Sequence, residues 1–198
     1  MGKIIAVFLD RDGTINEEVG YLDSLDKLKM IPAAYEAIRL INSSGLKAIV
    51  VTNQAGVARG FFTEKFVRQT HKIIQASLLQ KRASIDKFYF CPHHPTEGTG
   101  IYLQNCNCRK PLPGMLLQAA HDLDIELVNS YMIGDTYRDM EAAKKVGVKG
   151  ILIKTGYGWE VLQDVDVDPD AAITENKPDF VAEDILEAVK WIMKDRIK

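Results

Sequence analysis

Ile4-Ile5-Ala6-Val7-Phe8-Leu9-Asp10-Arg11-Asp12-Gly13-Thr14 is apolar for six residues and then stops on two carboxylates. An unbroken apolar run containing β-branched residues suits a strand covered on both faces of a parallel sheet, where alternation with polar residues is not expected. Gly13 ends it. Side chains along a strand repeat every two residues, so Asp10 and Asp12 leave the carboxyl end on the same side, close enough to share a cation. In open α/β sheets that end is where ligands bind.

Outward from this strand the chain alternates helix-like and strand-like segments. Residues 16–28 are acidic, lack steady periodicity and read as a loop or cap over the strand end, with Gly20 and Tyr21 facing a substrate. Pro32 opens a helix in which Ala34, Ala37, Ile38 and Ile41 recur at helical spacing until Ser43-Ser44-Gly45 stops it. Residues 46–51 form a second buried strand, delivering Thr52-Asn53-Gln54-Ala55-Gly56 to the same edge as a polar turn that can present donors to an anion. Phe66, Val67, Ile73, Ile74 and Leu78 predict a packing helix from Thr63 to about Lys81, in which His71 reads as an ordinary packing histidine. Strands are predicted at 88–90, 130–133, 150–153 and 180–181, and helices at 115–123, 139–146 and 183–194. Residues 159–178 read as acidic and irregular, with Asp164 to Asp170 a solvated face. Sustained β-α alternation predicts an α/β protein, one domain spanning residues 1–198 on a parallel sheet.

A net charge of −2, with both signs dispersed, excludes a nucleic-acid footprint. No apolar run approaches the ~18 residues of a membrane span, and Lys3 is the only base before the first strand. A soluble cytosolic protein, expected to be a monomer, fits this composition. The three cysteines all lie between positions 91 and 108. Cys91-Pro92-His93, twelve residues, then Cys106-Asn107-Cys108 offer four N/S ligands in two close pairs. Thiolates and imidazole suit Zn²⁺, and four protein ligands leave no open position, so the site is read as a structural staple for the loop at about 91–108. His94 competes with His93, which is preferred because it gives both pairs the same one-residue gap.

The chain runs from Cys108 directly into Arg109-Lys110-Pro111, so the staple also aims two cations. Asp10, Asp12, Thr52, Lys110, Asp135 and Asp139 thus collect at one sheet edge. Converging carboxylates call for a hard cation, and Mg²⁺ keeps waters and accepts a substrate phosphate.

In this order the elements resemble the haloacid dehalogenase superfamily of phosphotransferases, matched at Asp10-Arg11-Asp12-Gly13-Thr14, Thr52, Lys110 and Gly134-Asp135 with Asp139. The cysteine insertion, Thr52-Asn53-Gln54 with Arg59, and Cys108-Arg109-Lys110-Pro111 look like its histidinol-phosphatase-related branch. The resemblance implies a three-layer Rossmann-like fold with a minimal cap and a zinc loop, and a Mg²⁺-dependent phosphomonoesterase. Asp10 would be the nucleophile and Asp12 the general acid-base. Thr52 and Lys110 would hold the phosphoryl oxygens. Asp10, the Asp12 backbone carbonyl and Asp135 would ligate Mg²⁺, with Asp139 orienting Lys110 or a metal-bound water. Glu18, Gly20, Tyr21, Asn53, Gln54, Arg59 and Arg109 would read a small sugar bisphosphate. Glu18, Gly20, Tyr21 and the run 52–60 look more like the members acting on a heptose bisphosphate than those acting on histidinol phosphate. A reading of another class, a sugar-phosphate binding module without catalysis, leaves the Asp10–Asp12 pair unexplained. Members often carry a basic residue after Gly134-Asp135, where this chain has Thr136.

Overall fold

Strand β1 (Ala6–Leu9) is buried along its whole length between two parallel neighbours. The computed structural model describes residues 3–167 and 177–197. After β1 come α1 (Pro32–Ser43), β2 (Lys47–Asn53), α2 (Glu64–Gln80), β3 (Lys87–Cys91), α3 (Gly114–Leu123), β4 (Tyr131–Gly134), α4 (Tyr137–Lys144), β5 (Lys149–Ile153), α5 (Gly158–Val167), β6 (Phe180–Ala182) and α6 (Ile185–Asp195). The strands form one parallel sheet in the order β3-β2-β1-β4-β5-β6. The chain therefore winds outward from β1 in one direction and, beginning with β4, in the other. A crevice opens between the carboxyl ends of β1 and β4, where the order reverses.

Period-two alternation divides the core. Val7 and Leu9 of β1, Ala48 and Val50 of β2, and Ile133 of β4 pack with α1, α2 and α6. Ala6, Phe8, Ile49, Val51 and Met132 face the other way, onto Met115, Leu116 and Ala119 of α3 and Ala142 and Ala143 of α4. Burying a side chain such as Phe8 or Leu9 stabilises by about 1.5–3 kcal/mol, which fixes the register that places Asp10. The helices start where their caps are: the Thr63 hydroxyl accepts from Phe66 N–H (3.2 Å) and the Asp184 carboxylate from Leu186 and Glu187 N–H (2.8 and 2.9 Å).

Two expectations change. β2 runs on through Asn53, paired with Cys91 of β3, so Thr52 and Asn53 belong to the strand and not to a turn after it. The region expected to be irregular from 159 opens as helix α5. Its acidic composition hides Val161 and Leu162, which are half-buried. Of the expected solvated face at Asp164 to Asp170, residues 164–167 fall in α5 and 168–170 lie outside the residues described. Among the described residues no helix is long and apolar enough to cross a membrane.

Candidate active site

The crevice holds a cavity of about 260 Å³ lined at its floor by Asp10, Asp12, Thr52, Lys110 and Asp135. Glu18, Gly20, Tyr21, Arg109, Arg138 and Tyr157 stand around its mouth. Asp10 follows the last residue of β1, with its N–H on the carbonyl of Ile133 (2.9 Å). Asp10 Oδ1 accepts from Arg11 N–H (2.7 Å) and pairs with Lys110 Nζ (2.9 Å). Lys110 is 2 % exposed and spends its three ammonium protons on Asp10, Asp139 (2.6 Å) and the carbonyl of Val51 (2.7 Å). Burial alone would strip its proton; the Asp10 and Asp139 charges prevail and raise it to about 12. Lys110 is therefore a permanent cation beside Asp10. Asp139 orients it, and Thr136 N–H and hydroxyl hold the other Asp139 oxygen (3.2 and 2.7 Å).

Asp10, Asp135 and Asp139 bring carboxylate oxygens within 4.8 Å of one another. Burial, with the neighbouring carboxylates adding to it, pushes Asp10 up to about 7 against the pull of Lys110, and Asp135 up to about 8. A divalent cation would relieve this crowding, and hard carboxylate oxygens are the donor set Mg²⁺ takes. Room for the Asp135 carboxylate is kept by glycines: a Cβ on Gly13 or Gly156 would lie 2.1 or 2.0 Å from Asp135 Oδ2.

The Asp12 side chain stands apart from that group, and the expectation that both strand-end carboxylates face one cation is corrected here. Asp12 Oδ1 accepts from Arg11 Nε (3.2 Å) and Nη2 (3.0 Å) and from Asn16 (2.9 Å), while Oδ2 accepts from Arg11 Nη2 (2.8 Å) and Gln54 (2.9 Å). Burial would raise Asp12, but the Arg11 guanidinium and these hydrogen bonds outweigh it and hold its carboxyl below the usual range. Two carboxylates two residues apart thus have opposite environments: Asp10 beside a lysine and other acids, Asp12 in a ring of donors.

Of the residues expected to read a substrate, Glu18, Gly20, Tyr21 and Arg109 border the cavity. Asn53 and Gln54 also line it, yet their side chains are committed inside the protein. Asn53 bonds both backbone groups of Lys110, and Gln54 links Asp12, Thr52 (2.9 Å) and Arg11 (3.1 Å). Because Thr52 Oγ1 accepts from Gln54, its hydroxyl proton is left for a ligand. Arg59 does not border the cavity; it pairs with Glu97 (3.0 Å) and donates to the Tyr21 hydroxyl, over whose ring it sits. Sequence reasoning assigned no role to Arg11, Asn16, Arg138 or Tyr157. Arg11 carried a signal in hindsight, since a guanidinium between two carboxylates at the end of a buried strand has nowhere to go but inward.

The loop brings its four candidate metal ligands together. Cys91 Sγ lies 3.5 Å from Cys106 Sγ and 3.8 Å from His93 Nδ1, while Cys108 Sγ lies 3.3 Å from both Cys106 Sγ and His93 Nδ1. Four soft or borderline donors around one point fit a tetrahedral ion. His94 Nδ1 instead accepts from Glu97 N–H (2.9 Å), and the histidine grouped with the three cysteines is His93. Gly114 N–H donates to Asn107 O (2.9 Å), and a Cβ there would lie 2.3 Å from that oxygen, so α3 starts against the loop.

A family model described as haloacid dehalogenase-like hydrolase matches residues 5–147. The D-glycero-beta-D-manno-heptose-1,7-bisphosphate 7-phosphatase of Pasteurella multocida (strain Pm70) is 45% identical over 152 residues, 76% of this chain and 82% of that protein. The protein of the same name from Escherichia coli (strain K12) is 39% identical over 196 residues, 98% and 96% of the two chains. A crystal structure of the D,D-heptose 1,7-bisphosphate phosphatase from B. bronchiseptica, complexed with magnesium and phosphate, superposes with a TM-score of 0.83 at 29% identity, covering 97% of this chain and 99% of that one. With these likenesses along its length and the four strand-end motifs assembled at one cavity, the chain belongs to the haloacid dehalogenase-like hydrolase family and is a phosphatase.

Proposed function

We propose that this enzyme removes the C7 phosphate of D-glycero-D-manno-heptose 1,7-bisphosphate, a step toward nucleotide-activated heptose, and that Asp10 and Asp12 divide the chemistry. The observation that carries the chemistry is the contrast between the two: Asp10 faces the cavity against a fixed cation, while Asp12, two residues on, is held by donors on both oxygens. In the first half-reaction an Asp10 oxygen bonds to phosphorus as the phosphorus–sugar oxygen bond breaks, and the departing oxygen takes a proton from Asp12, which must therefore enter this step neutral, against the Arg11 fork that holds it ionised in the free site. In the second, water attacks the aspartyl phosphate and gives its proton to Asp12. The phosphorus–Asp10 bond breaks, releasing phosphate and restoring both groups. To meet a phosphoryl oxygen, Lys110 exchanges one of its present partners, while Thr52 has its hydroxyl proton free.

Mg²⁺ would be held by Asp10, the Asp12 carbonyl and Asp135, and when bound it screens the charge of phosphate and nucleophile. Zn²⁺ would be held by Cys91, His93, Cys106 and Cys108, as a staple for the loop that aims Arg109 and Lys110. The substrate follows the relatives of that name and the residues at the cavity mouth, of which Arg109 and Glu18 would meet the remainder of the sugar bisphosphate. The test is phosphate release with Mg²⁺ from both anomers of the heptose bisphosphate and from histidinol phosphate. Preference for histidinol phosphate would overturn the substrate. Asp10→Asn is expected to bind phosphate and release none; wild-type-like turnover by it would overturn the nucleophile.

A further inference from the structure

The guanidinium of Arg11 has two working edges. Nε and Nη2 form the fork on Asp12, and Nη2 also donates to Gln54. The remaining nitrogen, Nη1, lies 3.4 Å from His71 Nε2, on α2. An arginine nitrogen can only donate, so Nε2 accepts and the imidazole is neutral, with its proton on Nδ1. The ring itself is held: it stacks on Phe88 (centroids 4.6 Å apart, planes at 18°) and meets Phe90 edge-on at 5.9 Å. A rigid aromatic wall thus ends in a single acceptor aimed at the back of the one side chain that grips both oxygens of Asp12.

We propose that His71 is a positioning residue for the phosphatase reaction: by accepting from Nη1 it fixes the rotation of the Arg11 fork, and through the fork the direction in which Asp12 presents its proton to the leaving oxygen. This rests on the roles given to Asp10 and Asp12 above. Arg11 is 1 % exposed and bonded at both edges, so the fork and the acceptor behind it move as one body. With the acceptor gone, only the Asp12 and Gln54 bonds orient the guanidinium, and the oxygen of Asp12 that must reach the substrate loses part of its aim. General-acid help depends on such placement. It also depends on the leaving group. A sugar alkoxide needs the proton as the phosphorus–oxygen bond breaks, whereas a nitrophenolate departs readily as an anion.

The experiment compares kcat/KM, which reports steps through the first phosphoryl transfer, for the heptose bisphosphate and for p-nitrophenyl phosphate in wild type, His71→Phe and His71→Gln. Phe keeps the stack on Phe88 and removes the acceptor; Gln restores an acceptor oxygen. His71→Phe is expected to lose about tenfold more on the sugar phosphate than on the aryl phosphate, with His71→Gln recovering most of the difference. Equal losses on the two esters, or no loss on either, would overturn the proposal. Should His71→Phe fail to fold, Arg11→Lys, which removes the fork, is expected to give the same unequal loss, and an equal loss there overturns it. Wild-type protein that turns over neither ester would instead defeat the functional reading, and is thereby distinguished.

Discussion

Asn53 grips Lys110 by both backbone groups: its amide nitrogen donates to the Lys110 carbonyl (2.9 Å) and its amide oxygen accepts from the Lys110 N–H (3.0 Å). The end of β2 and the exit of the cysteine loop are thereby locked together at the residue that supplies the cation to Asp10. Asn53→Ala breaks both bonds. Expected is a stability cost of about 1–3 kcal/mol, seen in urea unfolding, and a fall in kcat of about 10- to 100-fold, as for a misplaced catalytic group. Unchanged kcat with reduced stability would mean that Lys110 is held well enough by its ion pairs alone.

Gly13 and Gly20 allow backbone strain to be separated from obstruction. Both have positive φ, +75° and +74°, but a Cβ on Gly13 would meet Asp135 Oδ2 at 2.1 Å, and one on Gly20 would meet nothing within 4 Å. Gly20→Ala is expected to cost only about 1 kcal/mol of strain and to keep Mg²⁺ affinity. Gly13→Ala is expected to displace Asp135 and weaken Mg²⁺ binding at least tenfold (about 1.4 kcal/mol) by calorimetric titration. Equal Mg²⁺ affinity in the two variants would contradict this role for Gly13.

His71 makes acid instability measurable at one residue. Burial, then the charges of Arg11 and Arg68, lower it to about 3 against the pull of Asp12. The unfolded chain protonates near pH 6.5, whereas the folded chain does not until about pH 3. Between those values the unfolded state binds more protons, so this contribution is complete above pH 6.5 and is lost as pH falls. His71→Phe should therefore flatten the acid side of the stability curve by up to about 1.4 kcal/mol per pH unit, read as the difference from wild type in denaturant melts between pH 4.5 and 7. Parallel curves would rule the effect out.

Removing the Zn²⁺ proposed for the loop should cost activity before it costs the fold. Lys110 is two residues beyond Cys108, and the loop between the two ligand pairs leans on Ala58 through Thr99 N–H (3.2 Å). With chelator, or in Cys106→Ser, residues 92–107 are expected to become sensitive to protease while far-ultraviolet circular dichroism changes little and phosphate release falls. Full activity in verified zinc-free protein would separate the staple from the placement of Lys110.

The sheet edge was legible because Asp10, Thr52, Lys110 and Asp135 follow apolar strands or a loop pinned by cysteines, and those patterns survive without coordinates. Direction within the edge was not. Asn53 and Gln54 look like substrate contacts as polar residues after a strand, but β2 carries Asn53 into the ladder and so toward Lys110. Arg59, a lone cation on a loop, turned to Tyr21 and Glu97, partners distant in sequence. His71 has no local sign of its role, since its contact with Arg11 spans 60 positions. Helix α5 was hidden because Glu160, Asp164 and Asp166 are interleaved with its apolar positions, which recur at helical intervals.

The cysteines take sides. The sheet separates two apolar compartments, and Cys91, Cys106 and Cys108 belong to the one built with α3 and α4, while the compartment of α1, α2 and α6 has no share in them. On the zinc reading above, stability would not be one quantity: the smaller compartment, with α3 and α4, would lean on a metal, and the larger one would not. Metal loss would convert a single cooperative transition into two, with amides of α3 and α4 exchanging early and those of α1 and α6 keeping their protection. Asp10 lies on the seam, because alternate residues of β1 anchor it in both compartments.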